Sequence, residues 1–191
     1  MASAVARREV CRSQEVAMHC AVTEDSIEKA NAQFWEQMLA MRLEPVGATS
    51  MRCIGADHVL GNCDLTGAWS GRIEVRLSKG LAIHATSAML MLPAKAIQAA
   101  DMLDAAKEIA NMIAGTLKSA LPRPCAMTVP SAEAVLEDFC VHPRTEDSVT
   151  VFFCHEAGEL MIRVCEAGLY VMASEGQPSF EYSPLTSAML A

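Results

Sequence analysis

The sequence predicts an α+β domain in which an antiparallel sheet packs against two long helices. Three observations carry this. Residues 71–77 alternate Ile73, Val75 and Leu77 with Arg72, Glu74 and Arg76, the period of two that marks a strand. Two β-rich runs, 148–154 and 159–165, flank His155-Glu-Ala-Gly158 as the arms of a hairpin. Between strand 71–77 and this hairpin, residues 95–121 space their apolar side chains as a helix does, and Pro122 and Pro124 close the run. The order α, β, α, α, β hairpin then favours helices laid on one sheet.

Taken in chain order, a first helix is expected to begin near Asp25, with Glu28 three residues on as in a capping box. Ile27, Phe34, Met38 and Met41 form its apolar stripe, and Glu44-Pro45 ends it. Short strands are expected at 50–54 and 58–60, with Gly61-Asn-Cys-Asp64 as a turn. Strand 71–77 would be half-buried, its charged residues facing water. Residues 81–92 are nearly all apolar and read as a buried helix stopped by Pro93. A further strand signal falls at 126–129, before the hairpin. Residues 1–22 have no period and read as a loose N-terminal extension. Residues 168–191 hold Gly176, Pro178 and Pro184 and read as an irregular C-terminal tail. That leaves residues 23–167 as the folded domain.

Composition narrows the function classes. Hydrophobic residues make up 52% of the 191, and mean hydropathy is +0.22, which excludes a disordered chain. No apolar run approaches the ~18 residues of a membrane span. Fifteen basic against 23 acidic residues give a net charge of −8, so no nucleic-acid or membrane partner is expected. None of the eight cysteines forms a Cys-x-x-Cys pair, so no metal site is expected. Cys53, Cys140, Cys154 and Cys165 lie among β-branched or aromatic residues and read as buried free thiols. Arg7-Arg8 lacks a following apolar segment and so reads as no export signal. The expected compartment is a reducing cytoplasm.

The long helix holds the informative constellation. At about 100° per residue, Asp104, Glu108, Asn111 and Gly115 fall within roughly 60° of one another. Met102, Ala106, Ile109, Ile113 and Leu117 collect on the opposite side, spaced to face a core. By spacing alone the polar stripe reads first as the solvated face of an amphipathic helix, as most charged stripes are. Gly115 is the feature that speaks against this, because glycine costs about 1 kcal/mol in a helix interior. A bare position there suits something that approaches closely.

The stretch Asp104-Ala-Ala-Lys-Glu108-Ile-Ala-Asn111-Met-Ile-Ala-Gly115-Thr-Leu-Lys118 resembles the active-site helix of the CheX/CheC chemotaxis phosphatases. That signature is Asp or Ser, three residues, Glu, two residues, Asn, and a proline further on. The continuation Asn-Met-Ile-x-Gly-x-x-Lys is also typical of the family. Upstream, Leu65-Thr-Gly67-Ala-Trp-Ser-Gly71-Arg-Ile-Glu-Val75 looks like the glycine-marked hairpin before the family's first core helix. Downstream, Ala126-Met-Thr-Val-Pro130 is similar to its strand-then-proline segment. The gap from Asn111 to Pro130 is shorter than usual, and no glycine follows that proline.

The resemblance implies a phosphatase acting on the aspartyl phosphate of a CheY-like response regulator in two-component signalling. Asn111 would orient the attacking water, and Glu108 would pair with the regulator's lysine and seat the helix. Asp104 and Gly115 would contact the partner. No cofactor would be bound by this chain; the magnesium belongs to the regulator. Relatives also imply a homodimer joined through sheet edges, for which the 149–165 hairpin offers a strand. The rival reading is a non-catalytic regulator-binding or dimerisation module of the same fold. A second Glu-x-x-Asn, Glu28-Lys-Ala-Asn31, lacks both the preceding Asp or Ser and the Gly-x-x-Lys continuation. The helix at 81–92 offers neither Glu nor Asn, so a one-site arrangement is expected.

Overall fold

A computed structural model describes residues 22–47, 50–145 and 147–167. The expected tail, and all of the expected extension but residue 22, lie outside the described residues, as do Cys11 and Cys20. Nine strands and three α-helices run in the order α1 (Glu24–Leu39), β1 (Glu44–Val46), β2 (Arg52–Ile54), β3 (His58–Gly67), β4 (Gly71–Ser78), α2 (Lys79–Leu90), α3 (Ala99–Lys118), β5 (Cys125–Met127), β6 (Ser131–Val135), β7 (Phe139–Val141), β8 (Ser148–His155) and β9 (Gly158–Glu166) among the described residues. Seven strands form one antiparallel sheet ordered β1-β8-β9-β4-β3-β5, with β6 also paired to β3. The helices cover one face. The small β2-β7 ribbon covers part of the other, where Phe139, Val141, Phe152 and Met161 meet in a second apolar cluster.

Alternation along each strand explains the two faces. Ile73, Val75, Leu77, Leu160, Ile162, Val164 and Phe153 point towards the helices and join their apolar sides in the main core. Glu74 and Arg76 point the other way and are buried all the same, at 5% and 6% exposure. The expected half-buried strand is thus covered on both sides. Its reason is the ribbon: Phe139 of β7 lays its ring 3.7 Å from the Arg76 guanidinium carbon. His58 Nε2 and Glu74 take up further sides of the same cation at 2.9 and 3.6 Å. Burial lowers the His58 pKa below its ordinary value, and the facing Arg76 cation lowers it further.

Several boundaries differ from the sequence expectation. Helix α1 is capped by Thr23 with Ser26, not by Asp25 with Glu28, and stops at Leu39, where Ala40 turns left-handed. Met38 faces water, and Trp35 fills the core in its place. Residues 61–64 are no turn: β3 runs unbroken through them, and the chain reverses around Gly67 (φ 135°) and Ser70. Helix α2 buries one side only, and Leu90, Met91 and Leu92 are exposed. Strands β1, β6 and β7, three to five residues each, carried no sequence signal strong enough to be expected.

The hairpin turns at the expected residues, but it is no free edge. Strand β9 lies between β8 and β4, and β1 pairs with the outer side of β8 from Phe152 to Cys154. The cysteine expectation also needs correction. Cys53 and Cys140 are bonded to each other, as directly opposed residues of the β2-β7 ribbon. Neither is a buried thiol, because the ribbon that pairs them lies on the surface. Cys154 is exposed and Cys165 half-buried; Cys63 is the buried free thiol.

Candidate functional site

Helix α3 is built to present one face. Gln98 caps its start, and the Gln98 backbone N–H donates to Asp101 Oδ2 at 2.8 Å. Ala105, Ala106, Ile109, Ala110, Ile113, Ala114 and Leu117 are buried. Four alanines in that list thin the inner face, so the helix backbone lies close on β3. Gly61 of β3 completes the fit: a Cβ added there would meet the Ala106 carbonyl carbon at 2.9 Å and the Ala110 Cβ at 3.3 Å. The expected core residues Ala106, Ile109, Ile113 and Leu117 are all buried, and Met102 packs partly against them.

The opposite face holds the predicted stripe. Asp104, Glu108 and Gly115 are exposed, and Asn111 is partly so. Asp104 is engaged by Lys107, whose Nζ lies 2.9 Å from its Oδ1. Among the described residues, neither the Glu108 carboxylate nor the Asn111 carboxamide has a hydrogen-bonding or ion-pairing partner. Nothing lies within 4 Å of a Cβ built at Gly115, so the bare position opens on solvent. A free carboxylate and a free carboxamide thus stand one helical turn apart on a support fixed by the core. A carboxylate can pair with a cation, and a carboxamide can both donate to and accept from one water.

Beyond Gly115 the surface dips. Gly115, Lys118, Ser119, Arg123, Pro124, Cys125 and Met127 line this depression. Lys118 and Arg123 were not among the predicted contact residues, although Lys118 closes the helix motif. Pro130 leads into β6, which pairs with β3 beside α3, so the strand-then-proline segment lies next to the site helix.

The alternative Glu-x-x-Asn pair is not assembled. Glu28 is exposed on α1, whereas Asn31 is 1% exposed and turned into the core. Helix α2 carries neither residue type. Among the described residues, no cluster of three or more His, Cys, Asp or Glu side chains is placed to hold a metal ion. No helix among them is long and apolar enough to cross a membrane.

Comparison with known proteins gives one family. The sequence profile described as "Chemotaxis phosphatase CheX" matches residues 59–154. Among solved structures, CheX from Desulfovibrio desulfuricans is 23% identical, with a TM-score of 0.59 over 75% of this chain and 97% of its own. CheX from Vibrio vulnificus is 19% identical, with a TM-score of 0.62 over 78% of this chain and 99% of its own. The CheX of a Borrelia burgdorferi CheX-CheY-BeF3-Mg2+ complex is 13% identical, with a TM-score of 0.54 over 74% and 96%. At such identities the likeness is one of fold. No curated protein matches the chain by sequence.

Proposed function

The chain belongs to the CheX family of chemotaxis phosphatases, and from that premise we propose that it hydrolyses the aspartyl phosphate of a CheY-like response regulator. The observation that carries this reading is the free Glu108–Asn111 pair on the outer face of α3. Phosphoryl transfer to water needs a positioned nucleophile and neutralised charge more than covalent help from the protein. The Asn111 carboxamide holds a water in line with the phosphorus. The water oxygen bonds to phosphorus as the bond to the aspartyl oxygen breaks, giving inorganic phosphate, a free aspartate and a released proton. Glu108 pairs with a lysine of the regulator and seats the helix; it is no general base. Asp104 and Gly115 contact the partner on either side.

Neutralising charge at the phosphoryl group falls to the magnesium that the regulator carries, so this chain needs no cofactor. The partner also implies a cytoplasmic setting. A homodimer forms through the sheet edge at β6, whose outer side pairs with no strand among the described residues and is flanked by the exposed Val129 and Leu136. Light scattering that shows only monomer at micromolar concentration overturns the dimer.

The enzymatic reading is tested by measuring regulator binding and phosphate release on the same variants. Asn111→Ala is expected to lose at least about 10²-fold in turnover while binding persists, since misplacing a reacting group by about 1 Å costs that much. Glu108→Ala weakens docking, and Glu108→Lys weakens it further by setting like charges together. Full activity in Asn111→Ala refutes its role. Wild type that binds regulators yet releases no phosphate marks a binding module instead.

A further inference from the structure

Nine of the twelve described lysines and arginines are engaged. Lys29, Arg42, Arg52, Arg72, Arg76, Lys79, Lys107 and Arg144 are in ion pairs, and Arg163 reaches Ser148 and the Phe139 ring. Three cations of the described residues have no such partner: Lys95, Lys118 and Arg123. Two of these three line the same depression, at the end of α3 next to Gly115. Its floor is apolar, from Pro124, Cys125 and Met127.

The position of this depression relative to the Glu108–Asn111 pair gives it meaning. Lys118 follows Asn111 by seven residues, almost two full turns, so both lie on one side of the helix. Glu108 precedes Lys118 by ten residues, a rise of about 15 Å. Along this side the charge therefore runs from the unpaired Glu108, through the neutral Asn111 and Gly115, to Lys118 at the end of the helix, with Arg123 in the loop just beyond; Asp104 is already paired with Lys107. In a chain of net charge −8, two unpaired cations gathered in one hollow stand out as a place for negative charge.

We propose that Lys118 and Arg123 receive an acidic side chain on the surface of the phosphorylated regulator, about 15 Å from the regulator lysine that meets Glu108. The inference rests on the phosphatase reading and extends it: the helix carries a two-ended charge code that fixes which way round the regulator docks. The exposed carboxylate and the two cations discriminate among regulators by rim electrostatics, while Asn111 acts on the phosphoryl group they all share. Contacts of this kind act on encounter and register rather than on the chemical step. The competing structural role for Lys118 is to complement the carbonyls at the C-terminal end of α3. That role affects melting and leaves KM alone.

The experiment uses the full chain and a panel of CheY-like regulators phosphorylated with acetyl phosphate in magnesium. The regulator turned over fastest by wild type serves throughout. Lys118→Glu/Arg123→Glu is expected to raise KM about tenfold, keep most of kcat, and flatten the salt dependence of kcat/KM; Lys118→Gln/Arg123→Gln falls between. Asn111→Ala is expected to show the opposite split, a loss of kcat with KM little changed. An active wild type whose KM and salt slope survive both double variants overturns the inference and leaves the phosphatase reading intact. So does a double variant that only relieves inhibition by inorganic phosphate, because the hollow then serves the product. If the charge reversals do not fold, a wild-type kcat/KM that is insensitive to salt overturns the inference by itself. A wild type inactive on every regulator overturns the phosphatase reading and this inference together.

Discussion

The carbonyl oxygen of Ala106 in α3 sits directly over the Cα of Gly61 in β3, in the space that any side chain at position 61 needs. This contact sets the height of the site helix above the sheet. Gly61→Ala forces either α3 or the strand to shift, at a cost of about 1–3 kcal/mol for overpacking. Glu108 and Asn111 would move with the helix although neither is mutated. We expect a lower melting temperature together with a loss of turnover of order 10²-fold. A variant that melts early but keeps full turnover shows that the height of α3 is not critical.

The two faces of α3 separate stability from function. Ile109 and Ile113 are fully buried, so truncating either to alanine is expected to cost roughly 2–5 kcal/mol in chemical denaturation. Asn111 is partly exposed with no partner among the described residues, and Asn111→Ala is expected to stay within about 0.5 kcal/mol of wild type. If the two classes unfold alike, the orientation of the helix is wrong.

Gly115 gives the two properties opposite signs. A methyl group there meets open space, and alanine in place of glycine favours a helix by up to about 1 kcal/mol. Gly115→Ala is therefore expected to stabilise the free protein. The same methyl obstructs a partner that lies close against the stripe, so KM for the phosphorylated regulator is expected to rise. A more stable variant with unchanged KM removes Gly115 from the contact face.

What the sequence made legible divides along a physical line. Helix α3 and strand β4 repeat a period over seven or more residues, β8 and β9 are long runs rich in β-branched and aromatic residues about a turn, and each appears where that signal places it. The outward stripe of Asp104, Glu108, Asn111 and Gly115 follows from the same period. Strands β1 and β7 are three residues each, too short to show a period; β2 lies within the strand expected at 50–54, but its pairing, like theirs, is set by partners up to about a hundred residues away. Everything misread on the far face of the sheet follows from them. With the β2-β7 ribbon unseen, Arg76 and Glu74 read as solvated and Cys53 and Cys140 as unrelated thiols. Gly61 was misread for a similar reason: a glycine that admits a helix backbone and a glycine that turns a chain look the same in one sequence. The Lys118–Arg123 hollow is made by the loop after α3 folding back beside the helix, which no spacing encodes.

His58 gives the fold a pH dependence of fixed sign. Its Nδ1–H donates to the Gly55 carbonyl at 3.0 Å, and Nε2 accepts from Arg76. Burial and the Arg76 cation hold its pKa below the ordinary value of 6.5, with only partial opposition from the Gly55 bond and Asp138. The unfolded chain therefore binds this proton more readily than the folded one. The contribution to stability is complete above about pH 6.5 and is lost as pH falls through the lower folded value. Denaturant titrations of wild type and His58→Gln from pH 7.5 to 5, for which we expect a steeper fall in wild type, check this. Parallel curves show that His58 has no such linkage.

The Cys53–Cys140 bond ties the ribbon across a sequence separation of 87 residues, on the face of the sheet away from α3. Closing so long a loop restricts the unfolded chain, and such a bond contributes about 2–4 kcal/mol. A reducing compartment holds exposed cysteines as thiols, and the contribution would be lost there. Reduction with dithiothreitol, or Cys53→Ser, is expected to lower the melting temperature of the oxidised protein. Turnover at 25 °C is expected to stay within about twofold, because the main core between the ribbon and the Glu108–Asn111 stripe remains packed. A melting temperature unchanged by reduction shows that the bond constrains nothing in solution. A loss of turnover well below melting shows that the ribbon acts on α3 through the sheet, by way of the buried Arg76, Glu74 and His58 beneath it.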